Sequence, residues 1–213
     1  PDFSGMAAYK PISRAAALET FVPQSMAYET RQALLRVQML VGGNIDRYVT
    51  EKLKYPDVAA LHSYFSAEQV DALALAIFNI ETGEGMIIGD QTGVGKGRFV
   101  AAMLRYALQQ NRTPVFVTKD PGLYADMIRD LRDIGMPNIA SRVLVTNNGL
   151  RNEKAIPLSE DATDVLTSLS DSKQAAAMQS LRESRGLYVT RAGILTTAGT
   201  TAKVKPNTFY GTE

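Results

Sequence analysis

Apolar residues recur along this chain with two different periods, and the change from one to the other divides it. Up to residue 81 the period is helical. Ala33, Leu34, Val37, Leu40 and Val41 fall at three- and four-residue spacing and predict a helix that Gly42 and Gly43 stop. A second, short helix is expected from Asn44 to Lys54, with Ile45, Tyr48, Val49 and Leu53 inward, and a third piece from Pro56 through Tyr64. Ser66 to Glu81 is the clearest helix. Val70, Leu73, Ala74 and Ile77 share one face, and Ser66 with Gln69 forms a capping-box pattern at its start. Residues 1–25, punctuated by Pro11 and Pro23, read as an extended arm.

Beyond Glu84 the apolar residues come in short continuous runs. Gly85, Met86, Ile87, Ile88 and Gly89 read as a first buried strand, Pro114–Thr118 as a second and Val143–Val145 as a third. Between them lie two helical patterns. One starts at Lys96, with Phe99, Val100, Met103, Leu104 and Ala107 on one face. The other spans Pro121–Ile134, with Tyr124, Met127, Ile128 and Leu131 inward and Gly135 as its stop. Alternating strands and helices predict an α/β fold with a parallel sheet, whose strands are apolar on both sides because helices cover both faces. Residues 147–183 are polar and weakly patterned, an insertion or mobile region with a helix expected at Ser172–Glu183. Leu187–Val189 is a candidate fourth strand, and Thr196–Thr201 reads as loop.

Composition narrows the function classes. The 213 residues are 45% apolar, enough for a packed core, and the formal net charge of +1 excludes a histone-like surface. With no cysteine there is no disulfide or thiolate site, and a single histidine, His62, rules out a multi-histidine metal centre. His62 reads as a packed or surface side chain. No apolar run is long enough to span a membrane, and no secretory signal pattern opens the chain. The expected compartment is the cytoplasm. Because the first residue is Pro1, we expect a processed chain or a piece of a longer one.

The chemistry concentrates in the loop between the first expected strand and the helix from Lys96. It reads Gly89, Asp90, Gln91, Thr92, Gly93, Val94, Gly95, Lys96, Gly97, Arg98. Glycines are needed where main-chain N–H groups turn onto phosphate oxygens, and a helix N-terminus adds its dipole. Lys96 is expected to reach the β and γ phosphates. The usual pattern places Ser or Thr after the lysine as a Mg²⁺ ligand. Here Gly97 takes that place, and Asp90 replaces the first glycine. The expected ligand is ATP with Mg²⁺, whose protein ligand stays unassigned. Arg98 suits either a phosphate or an acidic neighbour. Thr118, Lys119 and Asp120 end the second strand, where ligands gather in open α/β sheets. They suit either a nucleic-acid backbone or a solvated turn. Arg129, Asp130, Arg132 and Asp133 read as a solvated helix face with local ion pairs.

The run Ile88–Arg98, with Lys-Gly-Arg in place of Lys-Thr, resembles the phosphate loop of the strawberry notch family of superfamily 2 helicase-like ATPases. The resemblance extends to Phe65–Ala72, similar to that family's glutamine segment, and to Lys119–Gly135. Upstream, Tyr9–Pro11, Glu19–Pro23 and Met26 resemble bacterial and phage members, some of them virion-borne antirestriction proteins that fuse a methyltransferase to the helicase. The resemblance implies a first RecA-like lobe at 65–213, preceded by an arm and helical segment at 1–64. It also implies Gln69 on the adenine and DNA as partner of the intact protein, together with the remainder of the polypeptide or a larger assembly. The family's Asp-Glu-x-His motif is absent, since no Asp-Glu dipeptide occurs. The expectation is therefore the front part of an ATPase, binding nucleotide without its full catalytic apparatus. The alternative is a non-catalytic structural or interaction protein, such as an internal virion component, that keeps a nucleotide-binding fold. A small-molecule kinase fits less well, given Gly97 and the upstream arm.

Overall fold

In the computed structural model the described residues are 4–89, 95–145, 155–167 and 194–198, with 172, 173, 175, 176 and 179. The backbone divides into two compact units, Pro1–Phe99 and Val100–Glu213.

The first unit opens with a two-stranded antiparallel ribbon, β1 (Met6–Ala8) and β2 (Phe21–Pro23), and not with the extended arm expected of residues 1–25. The ribbon closes residues 9–20 into a loop, sealed by Tyr9 N–H donating to Thr20 O (2.9 Å). Prolines mark breaks in regular structure but do not reveal that the two flanks meet. Four helices follow: α1 (Gln24–Leu40), α2 (Ile45–Leu53), α3 (Val58–Tyr64) and α4 (Ala67–Glu81). Local chemistry fixes their ends. Gly42 and Gly43, at φ +90° and +89°, end the α1 segment in a left-handed geometry that favours glycine. Asn44 caps α2 by accepting from Arg47 N–H (3.0 Å), and Asp57 caps α3 by accepting from Ala60 N–H (2.8 Å).

The expected inward residues of α2 (Ile45, Tyr48, Val49, Leu53) and α4 (Val70, Leu73, Ala74, Ile77) are all buried, and α4 packs against both α1 and α2. On α1 only Leu34 and Val37 are buried. Ala33 and Leu40, expected on the same face, are exposed, because a single narrow stripe of this helix meets its neighbours. The expected buried strand at 85–89 is not formed. The segment has no regular structure and pairs with no strand among the described residues, and Ile87 is 94% exposed. An apolar run gains burial only when neighbouring strands and covering helices supply it, and here none does.

Helix α5 (Lys96–Gln109) runs through the division between the units. Of its expected face, Leu104 is buried and Phe99, Val100, Met103 and Ala107 are half-buried, while Ala101, Ala102, Arg105, Tyr106 and Leu108 are buried. The second unit then holds β3 (Val115–Thr118), α6 (Leu123–Asp133), a 3-10 turn (Ile139–Arg142) and β4 (Val143–Val145). All four expected inward residues of α6 are buried, and Tyr124 meets Phe116 edge-on, ring centroids 6.2 Å apart. Past Gly135, Met136 N–H returns to Leu131 O (3.0 Å), closing the helix end as expected.

Between β4 and the next long strand comes a short antiparallel ribbon, β5 (Ile156–Pro157) with β6 (Val165–Leu166), whose Ile156 and Leu166 are buried. Part of the polar region 147–183 is thus ordered pairing. The last strand, β7 (Ile194–Ala198), lies between β3 and β4 and pairs with both in parallel, Val115 facing Leu195 and Val143 facing Ile194. It occupies part of the span expected to be loop. Threonine is polar, yet its branched Cβ suits a strand, and that preference prevails here. The three parallel strands and intervening helices make this an α/β protein. β3 is less buried than expected, with Val117 57% exposed. The expected strand Leu187–Val189 and most of the expected helix Ser172–Glu183 lie outside the described residues, although 172, 173, 175, 176 and 179 are helical.

Candidate nucleotide-binding site

Three elements of the first unit converge on the C-terminal end of the glycine-rich loop: the start of α4, the corner after α3 and the start of α5. Ser66 and Gln69 complete the capping box at the first. Ser66 Oγ accepts from Gln69 N–H (3.3 Å) and Gln69 Oε1 accepts from Ser66 N–H (3.0 Å). That leaves the Gln69 amide nitrogen to donate outward, and it does so to Gly95 O (3.3 Å). Gly95 O also receives Phe99 N–H (3.2 Å), the first turn of α5. One carbonyl thus ties the glutamine to the helix that carries Lys96.

Gly95 has φ +84°, and a Cβ there would run into Gln69 Nε2. The backbone conformation favours glycine at this position, and any side chain there would also push the Gln69 amide aside. Lys96 is the first residue of α5 and half-buried. Arg98 donates from Nη1 to Tyr64 O (2.7 Å). That carbonyl is held in an aromatic corner where Tyr55 lies 5.2 Å from Tyr64 and 6.2 Å from Phe65, centroid to centroid. Asp90, Gln91, Thr92, Gly93 and Val94 lie outside the described residues. Gly97 is exposed on the first turn of α5.

The sequence places the loop between a strand and a helix. The helix is present; the strand is not. Among the described residues no group of three or more acidic or histidine side chains could hold a metal ion, and Gly97 supplies no hydroxyl. Of the residues expected to hold a nucleotide's phosphates, the described ones are Gly89, Gly95, Gly97 and Arg98, with Lys96 at the start of α5. A magnesium ion would arrive on the phosphates without an assignable ligand from these residues.

Thr118, Lys119 and Asp120 belong to the second unit, at the end of β3. Asp120 Oδ1 accepts from Gly122 N–H (2.7 Å) and its carbonyl from Leu123 N–H (3.1 Å), so the segment is a turn leading into α6. Lys119 is exposed. The helix face beyond carries the expected local pairs, Arg129 with Asp126 (2.9 Å) and Asp130 (3.3 Å), while Arg132 reaches Asp164 (2.8 Å).

Comparison with known proteins decides the family. A model for P-loop containing NTP hydrolase pore-1 matches residues 44–163, more than half of the chain. The chain belongs to this family. Among its relatives, a strawberry notch homologue of Caenorhabditis elegans is 36% identical over 98 residues, which is 43% of this chain and 5% of that protein. Strawberry notch homologue 1 of Homo sapiens is 40% identical over 86 residues, 37% of this chain and 6% of that protein. The resemblance read from the sequence is therefore upheld at the level of the family. This P-loop NTPase chain spans only about one-twentieth of these relatives. No solved structure matches it.

Sequence reasoning missed a buried polar network centred on Asp71, two residues after Gln69, and on Asp46. Asp71 is completely buried and accepts from Tyr9 Oη–H (2.7 Å), Ile12 N–H (2.9 Å) and Ser13 N–H (2.8 Å). Burial raises its pKa above the usual carboxylate range, against the pull of those three donors. Burial, followed by the neighbouring carboxylate, pushes Tyr9 upward as well. Buried Asp46 accepts from Ser13 Oγ–H (2.6 Å) and Arg14 N–H (3.1 Å) and meets His62 Nε2 (2.6 Å). His62 is thus a partly packed histidine with an acidic neighbour. The one available signal was an aspartate on the apolar face of α4, a position where a charge needs partners.

Proposed function

We propose that this chain binds ATP, holding its phosphates with the loop Gly89–Arg98 and its adenine with Gln69, as part of the first RecA-like lobe of a strawberry notch-type ATPase. The observation that carries the reading is the bond from Gln69 to Gly95, which joins the glutamine segment to the phosphate loop at the start of α5. Lys96 and the loop amides supply positive charge and N–H donors to phosphate oxygens. The parallel order β3-β7-β4 supports a RecA-like sheet within residues 65–213, after an arm and helical segment at 1–64. Thr118, Lys119 and Asp120 then face nucleic acid, and the intact protein couples ATP hydrolysis to movement on DNA. Hydrolysis is assigned to the intact protein, because these residues contain no Asp-Glu dipeptide for an Asp-Glu-x-His motif. The animal relatives named above lend no support to an antirestriction role or to a virion component.

The test is calorimetric titration of the folded chain with magnesium-ATP. Binding is expected in the wild type and a loss of about ten- to a hundredfold in Lys96→Ala, the value of one charge-assisted contact. Equal affinity in the two proteins contradicts the phosphate assignment.

A further inference from the structure

We infer that the loop of residues 9–20 is a strap that positions Gln69, with Asp71 as its principal anchor. The inference rests on the adenine reading of Gln69 and adds to it the device that holds the glutamine in place.

The strap attaches to the first turns of α4 on both sides of Gln69. Ala67 N–H, one of the helix's unpaired first-turn donors, goes to Ala16 O (2.9 Å). Both carboxylate oxygens of Glu68 accept from Leu18 N–H (3.0 Å each). Two residues after Gln69, Asp71 takes the three donors from Tyr9, Ile12 and Ser13. A second anchor on α2, Asp46, takes Ser13 and Arg14. Arg31 on α1 donates to Lys10 O (2.9 Å) and holds the outer side.

A carboxylate with no exposed surface is costly unless its oxygens are satisfied, and every donor given to Asp71 comes from the strap. The strap and the start of α4 therefore dock together or not at all. What they jointly fix is the capping box, and the capping box fixes the Gln69 amide, which reaches Gly95. If the strap loosens, the first turn of α4 frays and the glutamine loses its aim. No strap residue needs to touch the nucleotide for this to matter. Asp71, Glu68 and Tyr9 are positioning residues.

The experiment uses the whole chain in two formats. Tyr9→Phe deletes one oxygen and keeps the ring, and Glu68→Gln alters a half-exposed anchor, so both are gentler than a change at buried Asp71. In the nucleotide-free chain, hydrogen exchange is read at Ile12 and Ser13 on the strap and at Ala67, Glu68 and Gln69 on α4. Each variant is expected to speed both groups together. Exchange that rises on the strap alone overturns the coupling. In the second format, magnesium-ATP and magnesium-GTP are titrated into the wild type, Tyr9→Phe, Gln69→Ala and the double variant. The expected loss in ATP affinity is about fivefold for Tyr9→Phe, a modest coupling between sites. It is accompanied by weaker preference for ATP over GTP and is absent in the Gln69→Ala background. A loss that is equal for both nucleotides, or that persists without Gln69, reduces the strap to general stability and overturns the proposal. If the wild type binds neither nucleotide, the ATP reading fails, and the exchange result still decides whether the strap orders α4.

Discussion

Gly95 and Asp71 show how far single residues determine this site. Gly95 sits at φ +84° with its would-be Cβ directed into Gln69 Nε2. Gly95→Ala is expected to cost about 1–3 kcal/mol through backbone strain and to displace the glutamine as well. Denaturant unfolding reads the first effect, and ATP titration reads the second. Asp71 carries a pH signature. Its folded pKa is raised, chiefly by burial. Between the ordinary carboxylate value and that raised value the folded chain holds a proton that the unfolded chain has released. Its contribution to stability therefore falls as pH rises through this window and is constant above it. Urea midpoints followed across the acidic range should show that slope in the wild type but not in Asp71→Asn. A difference between the two proteins that does not change with pH would contradict the assignment.

Among the elements, α4 does most to place the site, and its start is chemically specified. Ser66→Ala removes the hydroxyl that receives Gln69 N–H and is expected to cost about 1 kcal/mol, read as a lower unfolding midpoint. This element was legible in the sequence down to its cap, because periodicity and capping are local properties. In α2 and α6 every residue expected to face inward is buried, but the buried polar Asp46 and Thr50 of α2 were not foreseen. Strands were less legible, because pairing is not local. The Met86-Ile87-Ile88 run has the composition of a buried strand, yet Met86 and Ile87 are exposed, while residues 196–198, the start of the threonine-rich span expected to be loop, belong to a strand that sits between two others. The strap was not legible at all. Its contacts to Asp71 join residues roughly sixty positions apart, two of the three through backbone donors, which carry no sequence signature. Of the candidate site, the sequence identified Gln69, Gly95 and Lys96, but not the shared carbonyl that links them.

For the molecule as a whole, the family is established by residues 44–163, and the relatives are many times longer than the matched region. A near-neutral net charge of +1 means that any affinity for DNA must come from a local surface rather than from a general cationic field. The central claim is narrower and concerns the nucleotide. It is tested most directly by following backbone amide and glutamine side-chain NMR resonances while magnesium-ATP is added to the folded chain. The account predicts saturable shifts at Gly95, Lys96, Gly97 and the Gln69 side-chain amide, with a midpoint moved about ten- to a hundredfold higher in ATP by Lys96→Ala. No shift at those positions with millimolar ATP, or shifts that persist unchanged without the lysine, would contradict it.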